Sequence, residues 1–142
     1  MKKLFIIIAI ICFALQVCAQ EFKIQCNCKY GLRIRYDVKS NTVLYKDPSI
    51  VNKPTGPLVF YIDNKTKTIY DDEHQKLYTS TFNSEKIVIV EYSNASCGKI
   101  IGSGKEIVLN RVNKTIKGNV FFIYNIDGNI FKDITSFQGK YN

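Results

Sequence analysis

The sequence predicts an all-β protein, a single antiparallel β-meander that closes into a small barrel of about eight strands. Three observations predict it. Beyond residue 20 no helix-period pattern persists for more than a turn or two. The same stretch is dense in Val, Ile, Thr, Tyr and Phe, which fit a pleated, half-buried surface. Turn-forming residues return about every ten positions, the spacing of short strands joined by tight turns.

The first segment stands apart. Met1-Lys2-Lys3, an apolar run from Leu4 to Leu15, and Val17-Cys18-Ala19 before Gln20 follow the charged, apolar and small-residue order of a cleavable signal peptide over residues 1–19. As a helix the run is roughly 18 Å long, short of the ~20 residues that span a bilayer. No second apolar stretch follows, so no transmembrane segment is expected. The expected product is a single barrel domain over residues 20–142, secreted or periplasmic. A lipoprotein anchored through Cys18 is the weaker reading, because Val17 stands where Gly, Ala or Ser normally precedes a lipidated cysteine.

The strands follow in order. Leu32-Arg33-Ile34-Arg35-Tyr36 alternates apolar with basic, which puts the apolar set on a core face and the arginines on a wet one. Lys39-Ser40-Asn41 turns the chain into Thr42–Tyr45. Lys46 to Gly56, with Pro57 just after, holds Pro48 and Pro54 and reads as the one long loop. Leu58–Ile62, a turn at Asp63-Asn64-Lys65, and Thr66–Tyr70 come next. The polar turn Asp71-Asp72-Glu73-His74 leads to Lys76–Phe82, and Asn83-Ser84-Glu85 leads to Lys86–Tyr92. A small-residue loop from Ser93 to Gly104 precedes Lys105–Arg111. Thr115–Tyr124 and Asn129–Phe137 close the set around the hairpin signal Asp127-Gly128. Asn64-Lys65-Thr66 and Asn113-Lys114-Thr115 echo one another, which turn chemistry accounts for without a duplicated site. Closing the meander hides its edges, and a barrel of this size either fills with side chains or holds one small ligand.

The runs Phe60-Tyr61-Ile62-Asp63 to Ile69-Tyr70-Asp71, Phe82 to Ile89 and Ile107 to Arg111 resemble small exported bacterial β-meander proteins, lipocalin-like and of uncharacterised function, over about residues 58–139. The resemblance implies fold and export and carries no catalytic residues.

Three cysteines remain beyond the signal segment. In an oxidising compartment two are expected to pair, by a bridge from Cys28, or alternatively Cys26, to Cys97. Such a bridge would close a loop of about 70 residues and contribute roughly 3–4 kcal/mol in the chain-entropy picture. Cys26 and Cys28 point to the same face of an extended strand, and a ring between them would be strained. A metal or redox site on three cysteines and one histidine is not expected, nor is any cofactor.

The net charge of +8 falls to about +6 once Lys2 and Lys3 are removed. An excess of this sign favours anionic partners such as lipopolysaccharide head groups, acidic polysaccharide or nucleic acid. Nucleic acid is not expected, since the lysines are scattered without a run of five and the interleaved aromatics are what a β core needs. Asp71-Asp72-Glu73-His74 reads as a solvated turn. No Gly-x-Ser-x-Gly elbow is present, and Cys97 would need His74 beside it to act as a nucleophile, so no catalytic residue is assigned.

Cys97 to Lys105 is the most suggestive segment. Gly102-Ser103-Gly104-Lys105 lacks the spacing of a phosphate-binding loop and no helix follows it, so it reads as a barrel-mouth loop with Lys99, Ser103 and Lys105 as contact residues. The expected function is that of a non-enzymatic binding or interaction module of unknown, possibly anionic, ligand or protein partner, contacted through its mouth loops. The alternative is a periplasmic inhibitor or immunity-type protein resembling bacterial lysozyme inhibitors. Ser103-Gly104 is similar to the Ser-Gly-x-x-Tyr loop of that family, but Ile107 stands where its tyrosine would. Two basic proteins also associate slowly.

Overall fold

Phe22-Lys23-Ile24-Gln25-Cys26-Asn27-Cys28-Lys29 alternates apolar with polar at every position. In the computed structural model of the chain, which describes residues 21–94 and 96–142, it opens a 16-residue strand, β1 (Phe22–Asp37). Eight more strands follow: β2 (Thr42–Asp47), β3 (Pro54–Asp63), β4 (Thr68–Tyr70), β5 (Thr79–Phe82), β6 (Lys86–Ser93), β7 (Ile100–Asn110), β8 (Thr115–Ile126) and β9 (Asn129–Tyr141). The protein is all-β, and every strand pairing is antiparallel. Eight strands run β4-β3-β1-β9-β8-β7-β6-β5 and curl into a nearly closed barrel, while β2 pairs with the far half of β1 alone. The expected signal peptide and Cys18 lie outside the described residues. Among the described residues no helix is long and apolar enough to cross a membrane.

Residues 76–78 draw the two edges of the sheet together. Leu77 donates its N–H to the Ile69 carbonyl (2.9 Å), and the Tyr78 carbonyl accepts from the Val90 N–H (3.1 Å). Leu77 itself is buried under this seam.

The core is a set of inward positions at period two: Ile24, Cys26 and Cys28; Phe60 and Ile62; Ile87 and Ile89; Ile107 and Leu109; Ile116; Phe137 and Tyr141. At the base, the Tyr141 hydroxyl donates to the Asn110 carbonyl (2.8 Å) and locks the end of β9 under the β7–β8 turn.

Three turns share one construction. In Asp37–Thr42, Asp63–Thr68 and Asn110–Thr115 the first side chain accepts backbone N–H groups two or three residues on. The fifth residue takes φ near +55° (Asn41, Lys67, Lys114), and a threonine starts the next strand. The structural match is Lys67-Thr68 with Lys114-Thr115, two residues later than the Asn-Lys-Thr echo. Asp127 and Gly128 both have φ > 0, as a two-residue hairpin turn requires.

Four expectations are corrected. The loop placed at Lys46–Gly56 shrinks to residues 48–53, because β2 runs through Asp47 and β3 begins at Pro54. Pro54 and Pro57 are tolerated in β3 because β4 covers only Tyr61–Asp63 and leaves that end an edge. The long loop before Lys105 shortens as well, since β7 begins at Ile100. Gly104 and Gly118 lie within strands because aromatic rings cover them: an added Cβ would sit 2.5 Å from the Phe121 and Phe137 rings respectively.

The third correction concerns the arginines of β1. Between Tyr30 and Arg33 the register against β9 slips by one residue, a β-bulge. Side chains at even positions face the core before it, and Arg33 and Arg35 share the interior face after it. Leu32, Ile34 and Tyr36 are turned to the outside, half-buried.

The fourth concerns the disulfide. Cys26, Cys28 and Cys97 are all free thiols. Cys26 pairs with Tyr141 at the base of the barrel, whereas Cys97 follows β6 and bonds with Ile100 at the opposite end. Strand β7 separates the two levels, about 30 Å at 3.3 Å per residue, against the ~6 Å between Cα atoms that a bridge needs.

Candidate functional site

Past the bulge the barrel wall continues as an open sheet, so its interior face becomes accessible at that end. Residues that would be core lower down are here polar or aromatic. From β1 across to β6 the face presents Arg35, Asp133, Phe122, Ser103 and Ser93 at one level, with Val120, Lys105 and Glu91 below them.

Two ion pairs sit on this face. Arg35 binds Asp133 through both ends of its fork, Nε to Oδ1 and Nη2 to Oδ2 at 2.7 Å each. Asp133 is 9% exposed, and its hydrogen bond holds the Arg35 guanidinium charged. The guanidinium lies 5.9 Å from the Tyr124 ring centroid. Lys105 Nζ meets Glu91 Oε2 at 2.7 Å, both partly exposed.

Two hollows meet here. The outer, about 650 Å³, lies in the notch where residues 76–78 leave the free end of β6, and Tyr78, Glu91, Ser93, Ser103 and Phe122 line it. The inner, about 260 Å³, reaches down between Tyr30, Leu58, Phe60, Ile107 and Phe137, with Asp71 and Asp72 at its rim. Lys105 and Val120 line both, so the two adjoin. Together they have the size and the mixed lining of a small-molecule site.

The structure places the expected contact residues unevenly. Ser103 and Lys105 are brought together, two residues apart on the interior face of β7, on a strand and not in a loop. Lys99 is exposed in the β6–β7 hairpin and lines neither hollow. Ser103-Gly104 is mid-strand, so no projecting Ser-Gly loop exists. Glu91, Val120, Phe122 and the Arg35–Asp133 pair were missed. One signal was available: Ile87, Ile89 and Glu91 fall on one face of a strand, and a carboxylate in an inward series marks where the core opens.

The other candidates disperse. The Asp71 carboxylate accepts from the N–H groups of Glu73 and Gln75 and so builds its own turn. His74 stacks on Tyr61 with centroids 4.2 Å apart. Burial pushes the Cys26 thiol up to about 12, with Cys28 adding to the shift, and burial raises Cys28 too. Both thiols are thus held protonated, the opposite of what a nucleophile or metal ligand needs. Among the described residues no three His, Cys, Asp or Glu side chains gather as a metal site would require.

The chain matches no family model, no curated protein and no solved structure, and what the site can do rests on its own geometry.

Proposed function

We propose that the protein is an exported, non-enzymatic binding module that takes a small amphipathic molecule into the open mouth of its barrel. The observation that carries this reading is that the two hollows adjoin at Lys105 and Val120. The inner one accommodates an apolar body against Leu58, Phe60, Ile107 and Phe137. The outer one offers charged and hydroxyl groups to a polar head. The ion pairs favour a binding role, because the two carboxylates on the face, Asp133 and Glu91, are each held by a cation. The signal-peptide pattern of residues 1–19 supports export.

The test uses 1-anilinonaphthalene-8-sulfonate, an apolar ring system with an anionic head. The native protein is expected to enhance its fluorescence saturably. A Val120→Trp variant, which fills the junction of the two hollows, is expected to lose most of that enhancement while keeping the parent far-UV circular dichroism. Equal probe binding by a folded Val120→Trp variant would overturn the mouth as the site.

A further inference from the structure

The outside of the barrel wall near its base carries a second surface, independent of the mouth. Outward side chains of β1, β9, β8, β7 and β6 fall into two rows that cross the strands. One runs Lys29, Gln138, Lys117; the next runs Asn27, Lys140, Thr115, Asn110, Lys86. They line a groove of about 990 Å³ that contains these four lysines and no carboxylate.

The electrostatics of groove and mouth differ. At the mouth Arg35 is paired with Asp133 and Lys105 with Glu91, the two ion pairs among the described residues. In the groove Lys29, Lys86, Lys117 and Lys140 have no carboxylate partner. Four exposed cations in one concavity repel one another and sum to a positive potential that draws in polyanions. Strands lie about 4.8 Å apart, so Lys29 and Lys117 are separated by about 10 Å at the backbone and Lys140 and Lys86 by about 14 Å. A linear chain with a carboxylate on every sugar presents every second charge on this scale. Between the lysines stand amides and a hydroxyl, on Gln138, Asn27, Asn110 and Thr115, which suit sugar hydroxyl groups as donors and acceptors.

We propose that this groove binds an acidic polysaccharide laid across the strands from β1 to β6, with the lysines on its carboxylate or sulfate groups. A single-stranded nucleic acid fits less well, because its bases need aromatic platforms and Tyr30 is the sole aromatic residue of the lining.

Calorimetric titration of the purified protein with oligogalacturonate tests this, with neutral dextran and oligo-dT as comparison ligands. Saturable binding of oligogalacturonate is expected at about 50 mM salt, weakening on the order of tenfold by about 200 mM. Lys29→Glu with Lys117→Glu is expected to weaken it at least as much, Lys117→Arg to preserve it, and Lys39→Glu, the same charge change in the β1–β2 turn, to leave it unaltered. Absence of binding, equal binding of dextran, tighter binding of oligo-dT, or an unaffected double variant with native circular dichroism would each overturn the proposal.

Discussion

Cys26 and Cys28 behave as small hydrophobic residues, and their burial has a measurable consequence at high pH. Cys26 is fully buried, its thiol pushed from the ordinary 9.0 up to about 12. Between these values the unfolded chain sheds the proton that the folded chain keeps. The folded state then binds more protons, so stability is level below pH 9 and falls as pH rises toward 12. Urea midpoints measured from pH 8 to pH 11 should decline, and Cys26→Ala should make that decline shallower even though its cavity lowers the neutral-pH midpoint. The same residues show what the sequence conceals. Phe22 to Lys29 alternates as cleanly as any strand in the chain once cysteine is counted as apolar. Treated as bridging residues, the two cysteines hid the first half of β1. Gly104 hid the start of β7 likewise, because its role is to lie beneath Phe121 and that ring is 17 residues away in the chain.

Strands differ in how firmly they are held. From Cys26 onward β1 is flanked by β9 on one edge and by β3 and then β2 on the other, whereas β2 pairs with β1 alone and its Val43, Leu44 and Tyr45 are exposed. Local opening should therefore be easiest at β2 and hardest along β1, β9 and β8. Hydrogen exchange followed by mass spectrometry should find the β2 amides exchanging at least about a hundredfold faster than those of the β8–β9 ladder; equal protection would contradict the pairing. Turns were legible in the sequence because their chemistry is local: Asp63 and Asn110 cap amides within three residues, and the Asp127-Gly128 hairpin follows from two adjacent positive φ values. Strand ends were not, since what extends β7 back to Ile100 is its partner Tyr124, and what permits prolines in β3 is the absence of a neighbour.

The barrel as a whole depends on a thin seam. Residues 76–78 hold β4 against β6 by a few backbone hydrogen bonds, and Leu77 is the one core side chain they contribute. Leu77→Ala should cost about 2–4 kcal/mol, read as a lower urea midpoint. A slope unchanged with urea would mean that the seam opens only with the whole domain. The all-β class and the near-closure of eight strands followed from composition and turn spacing; the position of the mouth did not, because it depends on one residue. The bulge at Tyr30–Arg33 works as a frameshift does in a coding sequence, changing the phase in which every later side chain of β1 is read. Before it the strand spells core inward; after it the same strand spells Arg33 and Arg35 inward, and the mouth acquires its charge. Deleting Leu32 would restore the original phase, turning Ile34 and Tyr36 in and both arginines out. A container with a polar mouth and one with a greasy mouth are thus neighbours, one residue apart in sequence.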